Sequence, residues 1–167
     1  MNNPPSVAGI VFSSDRKSVL LILRRDVPVW VLPGGAVDPE ESPENASIRE
    51  ILEETGLSVK VERLVGSYYP INRLAKHTHL YECSVVSGQL GKSEETRDAR
   101  FFPLSKLPPM PPPYPEWIDE GVNGGPPIER ELRSVNYRTL CKYALLHPIL
   151  VARFLLSRMG FSMNSKK

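Results

Sequence analysis

Cysteine is scarce in this 167-residue chain: only Cys83 and Cys141 occur. Two cysteines do not make a disulfide scaffold, and such sparing use fits a reducing compartment, with the cytoplasm as the expected location. Long hydrophobic runs are missing too. The longest uncharged apolar stretch near the C-terminus, Tyr143 to Ala152, is interrupted by His147-Pro148 and is about half the ~20 residues a membrane span needs. Met1-Asn2-Asn3-Pro4-Pro5 has no basic segment followed by an apolar one, so no signal peptide is expected. Nor does charge of one sign dominate. Lys plus Arg number 21 and Asp plus Glu 19, a net +2, which gives no field suited to coating a nucleic acid polymer. With 41% hydrophobic and 24% charged residues the chain is expected to be globular, and its length suits one domain with its own core.

Proline is what the chain has in excess: 17 residues, nine of them between Pro103 and Pro127. That density blocks helix and sheet interiors and predicts a loop over 103–127, with one helical turn near Trp117-Ile118. Ahead of it, Val7 to Phe12, Val19 to Leu23 and Val27 to Leu32 read as strands, the last ended by Pro33-Gly34-Gly35. Ser42-Pro43 is a helix start, and Gly56 a left-handed stop after Thr55. Leu57 to Val65, Thr78 to Val86 and Ala99 to Phe102 read as further strands. Residues 129 to 146 look helical, with a break at His147-Pro148 and a second helix to about Met159. One strong helix among strands, with helices at the end, predicts a layered α/β or α+β domain.

The helix over 43–55 concentrates the chemistry. At about 100° per residue, Glu54 lies about 40° and Glu53 about 60° from Glu50, while Ile48, Ile51 and Leu52 point to the other side. Carboxylates at i, i+3 and i+4 repel by a few tenths of a kcal/mol per pair. Arg49, about 100° away, satisfies only part of that charge. A hard divalent cation such as Mg²⁺ or Mn²⁺ satisfies more. The alternative is an amphipathic helix with a solvated acidic face.

The spacing around the helix is more specific. Gly35, Glu41 and the run Arg49-Glu50-Ile51-Leu52-Glu53-Glu54-Thr55-Gly56-Leu57 resemble the Nudix box with every defining position filled, and Trp30 to Gly34 resemble the segment preceding it. The resemblance implies the Nudix fold: an α/β domain whose mixed β-sheet is sandwiched between helices (α/β/α). Its core would span about 5–107, followed by the proline-rich loop and a C-terminal helical extension over about 129–159. It implies a Mg²⁺- or Mn²⁺-dependent pyrophosphohydrolase acting on a small nucleotide in which a nucleoside diphosphate is linked to another group. Glu50, Glu54 and the Gly35 carbonyl would be metal ligands, and Glu53 a ligand or the base that deprotonates water. Arg49 would orient the carboxylates, and Glu41 would support the loop. A further metal-binding carboxylate is expected before the last strand: Glu95 by position, then Glu94, then Asp98. A Nudix-fold module that binds nucleotide or protein without turnover is the alternative.

Outside the box, Arg24 and Arg25 end a strand beside the expected cleft and are candidate substrate contacts. Tyr69 and His79, in a stretch that also holds Tyr68, Arg73, Lys76 and His77, are further candidates. His77 and His79 share a strand face, but no third soft ligand is nearby. Gly91-Lys92-Ser93 is no P-loop, because position 86 is Val86 rather than glycine. Pro111-Pro112-Pro113-Tyr114 matches a proline-tyrosine motif read by aromatic-grooved modules, and an adaptor acting through it is a third hypothesis. Cys83 and Cys141 read as core residues. The stripe Ile149, Leu150, Phe154, Leu155 and Met159 is expected to pack on the domain's own core; a membrane surface or a homodimer face are its alternatives.

Overall fold

The computed structural model describes residues 4–146 and 148. In chain order its elements are β1 (Ser6–Val11), β2 (Ser18–Arg24), β3 (Trp30–Val31), α1 (Pro43–Thr55), β4 (Leu57–Tyr69), β5 (Thr78–Gly88), β6 (Thr96–Pro103), a single 3₁₀ turn (Leu104–Lys106), α2 (Tyr114–Asn123), β7 (Ile128–Glu131) and α3 (Tyr137–Leu146). Four strands form a mixed sheet in the order β1-β5-β4-β7, and three form an antiparallel sheet in the order β3-β2-β6. No helix among the described residues is long and apolar enough to cross a membrane.

Side chains alternate across a strand, and β1 shows what each face of the mixed sheet meets. Ala8, Ile10 and Phe12 pack with Trp117 and Ile118 of α2. Val7 packs with Ala46, and Val11 with Ile51, both residues of α1. Gly9 lies between them, where a Cβ would stand 2.4 Å from Ile51 Cδ1. The sheet is therefore covered by a helix on each face, the expected α/β/α arrangement. The second sheet adds Val19, Leu20 and Leu21 to the same core.

α1 forms where its caps require. Ser42 accepts a hydrogen bond from the Asn45 N–H at 3.2 Å. Pro43 fills the first turn, and Gly56, at φ 77°, returns its N–H to the Leu52 carbonyl, a left-handed stop that glycine adopts without a Cβ penalty.

Three elements differ from expectation. The third strand shrinks to Trp30–Val31, because Val27 to Val29 close a tight turn (Val29 N to Val27 O, 2.7 Å). Within the proline-rich stretch α2 runs for ten residues, with Pro115 in its first turn and Gly124 after its end. Prolines before and inside a first turn cost a helix nothing. Residues 128–131, expected to begin a helix, are instead the edge strand β7, parallel to β4 over Gly66↔Ile128 to Tyr69↔Glu131. Leu132, 1% exposed, pins that strand to the core. Of the two cysteines, Cys83 is buried as expected, but Cys141 is exposed. The expected second C-terminal helix and its stripe, Ile149 to Met159, lie outside the described residues.

Candidate active site

The acidic side of α1 faces an open cleft of about 940 Å³ between the helix, the Gly34–Ala36 turn, the end of β2 and the loop before β6. Glu50, Glu53 and Glu54 line it from the helix, and Glu94 and Glu95 from the loop. Arg24, Arg25 and Asp26 line it from the strand end. The predicted carboxylates are thus brought to one space from two segments about 40 residues apart in sequence. Asp98 points elsewhere and pairs with Arg100.

Glu54 is the most enclosed of these acids, at 8% exposure. Its Oε2 accepts the Gly34 N–H at 2.8 Å. Loss of water pushes its pKa up to about 7, against the pull of that hydrogen bond. Burial also raises Glu50, with Arg49 pulling the other way. Both acids feel the Glu95 charge, which raises them further. A Cβ at Gly35 would lie 2.4 Å from Glu50 Oε1, so a side chain there would displace the Glu50 carboxylate. The Gly35 carbonyl already accepts the Val7 N–H at 2.9 Å, leaving one lone pair.

Arg49 ties the helix to the loop before it. Its Nε and Nη2 donate to Glu41 at 3.0 and 2.9 Å, and Nη2 also to the Ala36 carbonyl at 3.0 Å. Its Nη1 donates to Glu50 at 3.0 Å and Glu53 at 3.2 Å. One guanidinium therefore orients two of the three helix acids. Glu41 lies behind Arg49 and outside the cleft.

Across the cleft Arg24 is paired in a fork to Asp26 (2.8 and 2.6 Å). Arg25 donates through Nε and Nη2 to the Ser93 carbonyl, at 3.2 and 3.0 Å, and through its backbone N–H to the Glu95 carbonyl. It staples the loop that carries Glu95 to the end of β2. Asp26 was not among the expected residues; the signal for it was its place directly after two arginines at a strand end.

Tyr69 and His79 do not line this cleft. Tyr69 stacks on His77, His77 meets His79, and His79 Nδ1 is 3.0 Å from Ser67 Oγ. They sit at the far ends of β4 and β5, because β4 continues past Val65 to Tyr69. The proline-tyrosine motif is folded into the protein: Pro113 is buried, and Tyr114 opens α2 and packs against Ile22, Val31 and Ala99. An extended ligand for another module is not available there.

The donor set suits a hard divalent cation: carboxylates and one carbonyl, with no soft ligand in the lining. As placed, no three His, Cys, Asp or Glu side chains among the described residues enclose an ion. Arg49 and the Gly34 N–H hold Glu50, Glu53 and Glu54 instead.

Comparison with known proteins gives a consistent family. The family model for the NUDIX domain matches residues 2–121. A Bacillus subtilis protein provisionally named an 8-oxo-dGTP diphosphatase is 36% identical over 119 residues, covering 70% of this chain and 79% of its own. An ADP-ribose pyrophosphatase of Methanocaldococcus jannaschii is 38% identical over 114 residues, covering 64% of this chain and 66% of its own. The crystal structure of an ADP-ribose pyrophosphatase from Streptococcus suis superposes with a TM-score of 0.63 at 25% identity, over 76% of this chain and 97% of that one.

Proposed function

The chain belongs to the NUDIX family of hydrolases, and from that premise we propose that it is a Mg²⁺- or Mn²⁺-dependent pyrophosphohydrolase that splits a phosphoanhydride in a nucleoside triphosphate or a nucleoside diphosphate joined to a sugar. One observation carries the reading. The cleft is lined by six carboxylates, Asp26, Glu50, Glu53, Glu54, Glu94 and Glu95, against three arginines, Arg24, Arg25 and Arg49. A polyphosphate would be repelled from such a surface unless cations entered with it.

Glu50, Glu54, Glu95 and the free lone pair of the Gly35 carbonyl would hold those cations, after Glu54 turns from the Gly34 N–H. The ions would shield the phosphate oxygens and lower the pKa of bound water. The protein's own residues supply the rest. Arg49 fixes the Glu50 and Glu53 carboxylates in place. Glu53, 59% exposed at the mouth of the cleft and bonded through one oxygen only, keeps the other free to take a proton from the attacking water. Arg24, released from Asp26, and Arg25 would meet substrate phosphates. The two relatives named above, one for an oxidised nucleoside triphosphate and one for ADP-ribose, support both substrate classes. Unpaired Cys83 and Cys141 support a reducing, cytoplasmic setting.

A panel of nucleoside triphosphates and nucleotide sugars, assayed with Mg²⁺ and Mn²⁺ and with product identification, tests the proposal. At least one should be cleaved to a nucleoside monophosphate and a second phosphorylated product. Glu54→Gln should abolish that turnover; equal turnover by the variant would refute its assigned role.

A further inference from the structure

The C-terminal region differs from the rest of the chain in charge and in what it leaves uncovered. Residues 132–167 hold seven Lys and Arg and no Asp or Glu, whereas residues 1–131 hold 14 and 19. In α3, Tyr137, Cys141 and Leu145 follow one another at i, i+4 and i+8, a spacing that places them in one row. Arg138 and Lys142 form the adjoining row. All five are exposed, with Tyr137 at 60% and Leu145 at 82%, and Leu146 follows at 66%. Among the described side chains of α3, Thr139 and Tyr143, on the other side, are partly covered, as is Ala144, which borders the row beside Tyr137. An apolar row bordered by cations therefore points away from the domain.

We propose that α3 docks on the surface of an anionic phospholipid bilayer. The Tyr137–Leu145 row would enter the boundary between headgroups and acyl chains, and Arg138 and Lys142 would meet lipid phosphates. Apolar burial and attraction of cations to an anionic leaflet both favour this placement. The sequence beyond α3 has the same character, with Ile149, Leu150, Phe154 and Leu155 interleaved with Arg153 and Arg158 and no acid to oppose them. A second copy on the same face would set cation against cation across a two-fold axis. A nucleic acid would use the cations but leave the apolar row nothing to bury against.

Co-sedimentation of the full chain with vesicles tests the proposal independently of any hydrolysis. Vesicles of phosphatidylcholine with about 30% phosphatidylglycerol should bind it about tenfold or more tightly than phosphatidylcholine alone. The pair Arg138→Glu and Lys142→Glu, and separately Leu145→Glu, should each cut binding about tenfold, with the melting temperature unchanged because these side chains are exposed. Absence of binding, or equal binding to both vesicle types, overturns the proposal. So does loss of binding in the charge pair without loss in Leu145→Glu, which would mark a general polyanion surface. A dimer in sedimentation velocity that Leu145→Glu dissociates, without vesicle binding, assigns the face to a second copy and also overturns it.

Discussion

Two clusters of arginine and glutamate lie on opposite faces of the mixed sheet, and their charge balance differs. Beneath α2, Arg16 and Arg63 share Glu82, and Arg130 bridges Glu116 and Glu120. Three cations meet three acids, with Tyr68 donating to Glu120 and Ser134 to Glu116. In the cleft beside α1 the same number of arginines faces six acids. The first cluster is closed upon itself and serves to anchor α2 and β7 to the sheet. The second is left short of positive charge, a deficit that the proposed cations would offset. Perturbed groups gather at functional sites for this reason. Burial raises the pKa of Glu54 and, against the pull of Arg49, that of Glu50.

Breaking each cluster should produce opposite phenotypes. The largest effect is expected on activity from Glu54→Gln or Glu50→Gln, which should lower kcat/KM by about a hundredfold or more, since even residues that only support a ligand cost 10–100-fold; the melting temperature should hold or rise, because an isosteric neutral group relieves the repulsion. Arg130→Met should do the reverse. It leaves Glu116 and Glu120 without their cation and should remove about 1–3 kcal/mol of stability by denaturant titration, with kcat little changed. Gly35→Ala, which drives a methyl group into the Glu50 carboxylate, should cost activity about tenfold while the fold persists.

Stability should also depend on pH. The folded pKa of Glu54, about 7, stands above its ordinary value of 4.5, so the folded protein holds a proton that the unfolded chain has released. The stability this confers is whole below about pH 4.5 and is lost as pH rises through about 7, by about 1–3 kcal/mol. Metal-free protein should therefore melt higher at pH 5 than at pH 8, and Glu54→Gln should flatten that slope. A slope of the opposite sign in the wild type would show that Glu54 is not desolvated as described.

The difference between the two clusters also marks what could be read from the sequence. The cleft was legible because its acids are local. Glu50, Glu53 and Glu54 share one helix, whose ends are written in Ser42-Pro43 and Gly56, and the box spacing brought Gly35 and Arg49 with them. Glu95 was reachable only by its place before β6. The balanced cluster was invisible. Arg130 meets Glu116 and Glu120 only because β7 pairs with β4, and a four-residue edge strand after Pro126-Pro127 has too short a pattern to separate from the helix that follows. Proline density likewise hid α2, whose prolines fall before the helix and in its first turn, where they are harmless. Tyr69 and His79 fall outside the cleft lining, because closeness in sequence to aromatic and basic neighbours says nothing about which end of a strand faces the cleft.

We propose that the surplus acids beside α1 bind divalent cations. Calorimetric titration of Mn²⁺ into the wild type and into Glu50→Gln/Glu54→Gln at neutral pH tests it most directly. Saturable binding to the wild type, weakened about tenfold or more in the double variant, is the expected result. Equal binding by both proteins, or none by the wild type, would contradict it.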